Sequence, residues 1–399
     1  MVFKLKEFQE NSPGIIIFSH KEFIKYSQYK TFNKVLKGYK NNYFFAVHWG
    51  ASFENTSEYN FENIDINFCY PEQLPDLENQ EMLPYTTRSF IPSTIFNNAT
   101  SKEKEIDLIT VTRKVNAKYN RDLFNISKEL ILVNPNVKIA ILVANPNYVK
   151  TNYDHLFNEN FEEILGAYKN NNVKLIKFDE IPKQEIVADY LKRSKVFLFT
   201  SRKEGVAKVT AEAALCNLPV LINSNFFGGA RVGINTKFLL EYDSVKTAVT
   251  KINQILNLQK SNGRASEIEV ATDSLNDIKN LRNLHKDLQI YFERKGKSYS
   301  GDLDENNLKN RMNSFLKELP DLYVFENNDL KSIFAFSKYF QNLCIGDFKQ
   351  FKSGLIYDRI LNFSLNLSIK DIIFKLSPVW FIKIIRRRTV LNNELSYEK

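Results

Sequence analysis

Two glutamates, Glu204 and Glu212, stand eight positions apart around a predicted junction between a strand and a helix. The strand is the apolar run 196–199, and bulky residues followed by small polar ones are typical of a strand buried on both faces. A helix is expected after the corner formed by Glu204 and Gly205, because residues 211–215 favour helix. Carboxylates placed in this way could accept hydrogen bonds from the hydroxyl groups of a sugar and of a ribose.

The predicted helix would suit a bound phosphate group. Its N-terminus would present free backbone amides and about half a positive charge, and Gly205 would let the backbone approach closely. We place Glu212 about two turns into the helix, roughly 12 Å beyond Glu204 at 1.5 Å per residue. The helix is expected to end at Asn217, which tolerates the left-handed conformation, before a strand at 220–222. The alternative is that both glutamates are solvated surface charges.

The segment 200–222 resembles the E-x7-E region of retaining glycosyltransferases of family four, also called glycosyl transferases group 1. The matching residues are Ser201, Glu204, Gly205, Glu212, Ala213, Pro219 and Val220. A second segment, 108–120, resembles that family's strand followed by an arginine and, five positions later, a lysine, which are Arg113 and Lys118 here. The resemblance covers about residues 105–257. It implies an α/β, GT-B-like fold with two Rossmann-like domains.

The resemblance also implies a reaction and a set of site residues. The reaction would move a sugar from a nucleotide-diphosphate sugar to a hydroxyl acceptor, with retention of configuration, in cell-surface glycan synthesis. Glu204 would hold the hydroxyls of the donor sugar, Arg113 and Lys118 the diphosphate, and Glu212 the ribose. A guanidinium beside an ammonium stabilises the charge of the leaving group without a metal, so neither a metal nor a cofactor is expected. The remaining implied donor-binding residues are Gly205, Val206, Ala207 and Thr210.

Two departures from the family pattern lie within the matched region. The family often has a glycine where Ala207 stands, which would alter the approach to the phosphate. After the paired glycines Gly228 and Gly229 the family frequently has a glutamate, whereas this chain continues with Ala230 and Arg231.

The elements around these motifs alternate between strand and helix, which indicates a parallel sheet. The predicted elements are strands at 137–143 and 173–178 and helices at 122–133, 186–193 and 244–256.

The first hundred residues predict a strand at 14–18, a helix at 23–38 and a strand at 43–47. His20 and His48 follow the two strands and should therefore lie at the C-terminal edge of the sheet, where sites form in open α/β folds. We select His48 as the catalytic or substrate-contacting candidate. The alternative is a packed, hydrogen-bonded histidine beside Trp49.

The sequence predicts three parts. Residues 1–100 form a shortened N-terminal Rossmann-like domain on the acceptor side, 101–258 the nucleotide-sugar donor domain, and 259–399 a largely helical C-terminal extension, with helical spacing at 274–294 and 308–319. Within the extension, segment 365–390 alternates apolar and basic residues. It could lie on an anionic membrane surface, or it could pack against the protein as a closing helix.

The composition of the chain argues against a nucleic-acid-binding protein and against a disulfide-rich protein. The net charge of +9 comes from basic residues spread along the chain, and no nucleic-acid motif is present. The chain has three cysteines, Cys69, Cys216 and Cys344, which are too few and too far apart for a disulfide framework or a zinc site. A reducing cytoplasm is therefore the expected location. Any membrane contact is expected at the inner face of the membrane. The first seven residues predict neither a signal peptide nor a spanning helix. Asp302 and Asp304, in a polar segment, are interpreted as solvated.

Two other functions remain open at this stage. The chain could be a non-catalytic nucleotide-sugar-binding or scaffold protein with a degenerate acceptor domain. It could also be an enzyme of another class on the same architecture, such as a nucleotide-sugar epimerase or a phosphorylase-like protein. For the transferase, the expected partners are the nucleotide sugar and a glycan or lipid-linked acceptor.

Overall fold

A computed structural model of the chain describes residues 2–300, except 7, 10, 28–29, 78–79, 98–102, 115–117, 145–152, 170 and 262–269. The predicted features at 308–319 and 365–390 lie outside the described residues, as do Asp302, Asp304 and Cys344.

A five-stranded sheet forms the N-terminal domain. Its strands run in the order β1-β2-β3-β4-β5, with β1 antiparallel to β2 and the others parallel. They are β1 (Val2–Lys6), β2 (Gly14–Ser19), β3 (Tyr43–His48), β4 (Ile66–Phe68) and β5 (Met82–Leu83). Every residue of β3 is buried, as expected for a parallel strand covered on both faces.

The helix predicted over 23–38 is two helices, α1 (His20–Tyr26) and α2 (Lys30–Tyr39). The chain turns at Ser27, whose carbonyl oxygen accepts a hydrogen bond of 2.8 Å from the side-chain amide of Asn33. Because a side chain of α2 satisfies this carbonyl at the end of α1, the helical pattern continues in the sequence while the backbone changes direction.

A six-stranded parallel sheet forms the second domain, in the order β11-β10-β9-β6-β7-β8. Its strands are β6 (Ile106–Thr112), β7 (Ile139–Ala144), β8 (Val173–Phe178), β9 (Ser194–Phe199), β10 (Val220–Asn223) and β11 (Leu239–Tyr242). The order reverses between β6 and β9, which pair directly. In doubly wound sheets such a reversal opens a crevice at the C-terminal ends of the two strands, and ligands bind there.

Five helices cover the two faces of this sheet. They are α3 (Asn120–Val133), α4 (Tyr153–Leu165), α5 (Gln184–Lys192), α6 (Lys208–Leu215) and α7 (Val245–Ser261). Helices α5 and α6 pack into one apolar cluster, and α3, α4 and α7 pack into the other. The predicted alternation of strands and helices is confirmed, and the predicted α/β fold class with parallel sheets is confirmed with it.

After the second domain the chain returns to the first. Helix α8 (Asp277–Arg294) begins after Asn276, whose side chain accepts a hydrogen bond from the amide of Lys279 at 2.9 Å. Its apolar face lies against β2, β3 and β4 in a single core cluster. The helical residues in that cluster are Leu281, Leu284, Leu288, Tyr291 and Phe292. The spacing of these residues is that of one helix face, so burial on the first sheet gives α8 its position.

Cys69 and Cys216, the cysteines in the described part of the chain, are free and buried. Burial raises the pKa of both thiols to about 12, so they pack as small apolar groups. Within the described segments, none of the helices has the length and apolar character needed to cross a bilayer.

Candidate functional site

The candidate site lies where the order of the second sheet reverses. Arg113 and Lys118 follow β6, and Glu204 follows β9, the strand paired with β6. The side-chain hydroxyl of Thr200 donates a hydrogen bond of 2.7 Å to the backbone carbonyl of Lys118, and this bond joins the two loops. The fold therefore brings together residues that are 86 positions apart in the sequence.

Lys118 and Glu204 form an ion pair at this point. Their side chains are only 9% and 19% exposed, and the hydroxyl of Ser201 also donates to Glu204 Oε1, at 2.7 Å. Burial lowers the pKa of the Lys118 ammonium and Arg113 lowers it further, while Glu204 opposes both effects. The pair is a short-range contact of opposite charges between largely buried side chains, where electrostatic interactions are stronger than in bulk water.

Both domains hold the backbone of Glu204. Its amide donates to the carbonyl of Phe227 at 3.2 Å, and its own carbonyl accepts a hydrogen bond from the hydroxyl of Ser52 at 3.2 Å. Ser52 belongs to the loop after β3 in the N-terminal domain, whereas Phe227 follows β10. The position of Glu204 therefore depends on the contact between the two domains.

Two glycines permit this contact between domains. A Cβ at Gly205 would overlap the carbonyl oxygen of Gly50 and lie 2.6 Å from the Cα of Ala51. At Gly228 the backbone has φ of 122°, and a Cβ would overlap the carbonyl of Glu204. The close approach at Gly205 is thus made by the N-terminal domain, while its predicted contact with phosphate stays a prediction.

The start of α6 differs from the expectation. The helix begins at Lys208, after Ala207 in the left-handed conformation (φ 39°, ψ 59°), so 204–207 is a loop. Glu212 therefore lies about one turn into the helix, and the predicted two turns were wrong. Burial raises the pKa of the half-buried Glu212 carboxyl, against the opposing effects of Lys208 and Arg88.

A cavity of about 330 Å³ collects four of the predicted residues, Arg113, Lys118, Glu204 and Glu212. Lys208, at the first position of α6, lines it as well and was missed by the sequence analysis. The rest of the wall is mostly apolar: Phe96, Val111, Thr112, Ala144, Ile181, Pro182, Gln184, Val187 and Val209. Three cations and two carboxylates on an apolar wall could hold a ligand that carries both negative charge and hydroxyl groups.

Three other predicted residues, Val206, Ala207 and Thr210, are buried beside this cavity and are not part of its wall. The hydroxyl of Thr210 accepts a hydrogen bond of 2.6 Å from Arg88. Arg88 was also missed, because it lies in the poorly patterned segment 54–100 and matches no motif. Contact between these three residues and a donor stays a prediction.

His48 is not among the residues that line this cavity. It is the last residue of β3 and is 4% exposed. Burial lowers the pKa of its imidazole to about 3, with a further lowering from nearby His20, so the ring is neutral at physiological pH. The structure places His48 in the sheet core near the domain contact, and its predicted catalytic role stays a prediction.

The described residues contain no group of three or more His, Cys, Asp or Glu side chains arranged to hold a metal ion. The positive charge at the cavity is provided by Arg113, Lys118 and Lys208.

Comparisons with known proteins give three results. Residues 93–269 match the family model described as glycosyl transferases group 1. No curated protein sequence matches the chain. The solved structures that it matches include the pneumococcal O-GlcNAc transferase GtfA in complex with UDP and GlcNAc, with 13% identity, a TM-score of 0.46, and coverage of 65% of this chain and 54% of that one.

Two further structures are similar at the same level. TarM shows 18% identity and a TM-score of 0.48, with 69% of this chain and 54% of TarM covered. An α,α-trehalose-phosphate synthase from Burkholderia vietnamiensis shows 11% identity and a TM-score of 0.46, with 66% and 70% covered. The chain spans about half the length of GtfA and of TarM. The family match includes the strand β6 with Arg113 and Lys118 and the segment with Glu204 and Glu212, so both motifs lie within the part of the chain that is similar to the glycosyl transferases group 1 family.

Proposed function

We propose that this protein transfers a sugar from a nucleotide-diphosphate sugar to a hydroxyl acceptor. The observation that carries the proposal is the contact of Lys118 with Glu204 in a cavity that also contains Arg113 and Glu212. A donor of this class has an anionic diphosphate between a hydroxylated sugar and a ribose. The site offers three cations for the diphosphate and two carboxylates for the hydroxyl groups of the sugar and the ribose.

In the proposed reaction each residue has one task. Arg113 and Lys118 bind the diphosphate and stabilise the charge that develops when the bond to the sugar breaks. Glu204 accepts hydrogen bonds from sugar hydroxyls, and Glu212 accepts them from the ribose. The amides at the start of α6, beside Gly205, add partial positive charge near the phosphates.

The ion pair has a consequence for binding. A diphosphate oxygen that contacts Lys118 and a hydroxyl that contacts Glu204 both replace part of the contact between these two residues. The donor would therefore exchange one charge interaction for two new ones, and binding would be tightest when both of its ends make their contacts. We expect a nucleoside diphosphate alone to bind less tightly than the matching nucleotide sugar.

Several finer features belong to the proposal. We propose retention of configuration, which rests on the resemblance to retaining glycosyltransferases, and no requirement for a metal, which rests on the Arg113–Lys118 pair. We also propose that the acceptor is a glycan or a lipid-linked acceptor in cell-surface glycan synthesis. We propose a cytoplasmic location from the cysteine pattern. Membrane contact through 365–390 remains a prediction. NMR of the product would identify its anomeric configuration, and activity in EDTA would test for a metal.

The first experiment measures the thermal stability of the protein with UDP, GDP, ADP and their glucose, N-acetylglucosamine and mannose derivatives. A ligand at about 100 times its dissociation constant should stabilise the fold by about 2.7 kcal/mol. Glu204→Gln should weaken the effect of a nucleotide sugar while preserving that of the matching nucleoside diphosphate. The control is Glu105→Gln, which removes a carboxylate at the opposite end of β6, paired with Arg193.

The outcomes separate the candidate functions. Binding followed by release of the nucleoside diphosphate supports the transferase. Binding without release, or without transfer to any acceptor, supports the non-catalytic nucleotide-sugar-binding protein. If no nucleotide or nucleotide sugar stabilises the protein, the donor-site proposal is wrong.

A further inference from the structure

Arg88 is a fully buried arginine in the N-terminal part of the chain. It lies in a 3₁₀ turn, Thr87–Phe90, that follows β5, and its exposed fraction is 0%. Burying a guanidinium is costly unless its N–H groups are satisfied. The residues that satisfy Arg88 should therefore show what the arginine does.

Every nitrogen of the Arg88 guanidinium donates to the second domain. The acceptors belong to the loop that precedes α6, to the first turn of α6, and to the segment that follows Gly228 and Gly229. They are the carbonyls of Val206 (3.3 Å), Ala207 (2.6 Å), Ala230 (3.0 Å) and Val232 (2.7 and 3.0 Å) and the hydroxyl of Thr210 (2.6 Å). A planar fork of five N–H groups suits several fixed carbonyls, and the compact ammonium of lysine does not.

The electrostatic setting does not favour a cation here. Arg88 lies at the N-terminus of α6, where the helix dipole repels positive charge. Burial lowers the pKa of Arg88 to about 10, against the opposing effects of Tyr70 and Glu212, so the group stays charged at neutral pH. Its hydrogen bonds to neutral carbonyls therefore offset an unfavourable environment, which points to a role in fixing the two loops.

One of these loops contains a strained residue. Ala207 has φ of 39° and ψ of 59°, a conformation that residues other than glycine rarely adopt. Its carbonyl accepts from Arg88 at 2.6 Å and from the Thr210 amide at 3.1 Å. Such a conformation persists when the surrounding contacts over-determine it, and Arg88 supplies the shortest of these contacts.

The turn that carries Arg88 is held by hydrogen bonds to the N-terminal domain and to helix α8. The hydroxyl of Tyr70 lies 2.8 Å from that of Ser89, and the side-chain amide of Asn280 donates to the carbonyl of Ser89 at 2.8 Å. Arg88 thus connects the two loops of the second domain to a rigid support built from the N-terminal domain and α8.

We propose that Arg88 is a positioning residue of the donor site. Its guanidinium holds the 206–207 and 230–232 backbones so that the amides at the start of α6 and the Glu204 loop face the cavity in fixed geometry. The donor-site part of this inference rests on the function proposed above. The fixing of the loops can be tested without any ligand.

The first test is hydrogen exchange of the free protein in Arg88→Lys, with Arg193→Lys as the control. Arg193 is a partly exposed arginine in ion pairs with Glu105 and Asp189. In Arg88→Lys we expect the amides of Thr210, Gly229 and Val232 to exchange about tenfold faster, while those of β6 and β9 keep their protection. The control should change neither set.

A second variant keeps the test decisive if Arg88→Lys does not fold. Thr210→Val removes one acceptor of Arg88 at nearly constant shape, together with the hydroxyl that lies 2.9 Å from the carbonyl oxygens of Ala207 and Ala230, and Thr210→Ser retains that hydroxyl. The variant therefore tests the hydrogen-bond network that Arg88 and Thr210 form together. Faster exchange of Gly229 and Val232 in the valine variant, but not in the serine variant, supports the proposal. Unchanged exchange at these amides, or equal acceleration throughout the domain, overturns it.

Binding provides a readout that a merely structural role would not move. The probe is UDP, GDP or ADP, whichever stabilises the wild type most. We expect Arg88→Lys to weaken its affinity about tenfold, which is about 1.4 kcal/mol. Adding Ala207→Gly should recover much of that loss, because glycine adopts the left-handed conformation without support.

The outcomes distinguish the two proposals. A double variant as weak as Arg88→Lys alone would contradict the positioning role. If the exchange results are as expected but no nucleoside diphosphate or nucleotide sugar binds the wild type, the proposed function fails and the fixing of the loops by Arg88 stands.

Discussion

The ammonium of Lys118 contacts the carboxylate of Glu204 across the point where the strand order of the second sheet reverses. The lysine follows β6 and the glutamate follows β9, and both side chains are largely buried. A charge in such a place needs its partner, because removing one member leaves the other uncompensated. We therefore expect that removing either member alone destabilises the fold, apart from any effect on the proposed chemistry.

This relationship predicts non-additive effects on stability. Lys118→Met and Glu204→Gln should each lower the free energy of unfolding by about 2 kcal/mol, because each leaves a buried group without its partner. The double variant should lose clearly less than the sum. Urea unfolding of the four proteins measures the coupling.

The control for this cycle is the pair Lys169 and Glu162, whose side chains are 46% and 58% exposed. Their coupling should be small because solvent screens exposed pairs. A coupling between Lys118 and Glu204 no larger than that of the control pair would show that the buried contact does not stabilise the protein.

The burial of His48 leads us to expect that the protein loses stability in acid. The unfolded imidazole takes up a proton near its usual pKa of 6.5, whereas the folded one does so only near 3. Between these values the unfolded state binds more protons, so the free energy of unfolding falls as pH decreases, by at most about 1.4 kcal/mol per pH unit. Above pH 6.5 this residue contributes no pH dependence.

Unfolding of the wild type and His48→Gln from pH 7 to pH 4 measures the effect of His48. The variant should show a shallower decline with acid. His155→Gln provides the control, because His155 is 80% exposed and should leave the slope almost unchanged. Parallel curves for wild type and His48→Gln would refute the prediction.

Gly228 should tolerate no side chain. Its φ of 122° is strained for alanine, and the added Cβ would overlap the Glu204 carbonyl and lie 2.6 Å from Ser52 Oγ. We expect Gly228→Ala to lower the free energy of unfolding by about 3 kcal/mol and to weaken nucleotide binding, because the Glu204 loop must move. Gly38, within α2, has nothing within 4 Å of an added Cβ, so Gly38→Ala should be stabilising by about 0.5–1 kcal/mol. Equal effects of Gly228→Ala and Gly38→Ala on the free energy of unfolding would contradict the close contact of Gly228 with the Glu204 loop.

The proposed contact between Glu212 and the ribose can be tested with 2′-deoxy nucleotides. If its carboxylate accepts both ribose hydroxyls, the wild type should bind a nucleoside diphosphate about tenfold more tightly than the 2′-deoxy form. Glu212→Gln should bind the two forms with similar affinity, because the amide offers fewer acceptor sites. Calorimetric titration measures the ratio, with Glu163→Gln on the exposed face of α4 as the control. Retention of the preference in Glu212→Gln would assign the ribose to another residue.

The strands of the second domain were predictable because each is a short apolar run between polar breaks. The strand predicted at 173–178 has the observed bounds, Val173–Phe178. Asn217 has φ of 59°, as its predicted role at the end of α6 requires. The start of that helix was predicted wrongly, because Ala207 is a residue that favours helix and its left-handed conformation depends on contacts distant in sequence.

What the sequence determined by itself is local: the alternation of elements, the α/β class, and the motif residues Arg113, Lys118, Glu204 and Glu212. The alternation and the fold class follow from hydrophobic period, which acts within a few turns of chain, whereas the four motif residues come from the resemblance to the glycosyl transferases group 1 family. Only the tertiary structure decided that Lys118 pairs with Glu204, that His48 is buried and does not line the cavity, and that Arg88 donates hydrogen bonds to Ala207 and Val232 of the second domain. Those facts depend on strand order and on the contact between two domains, and packing between residues a hundred positions apart leaves no periodic signal in the sequence.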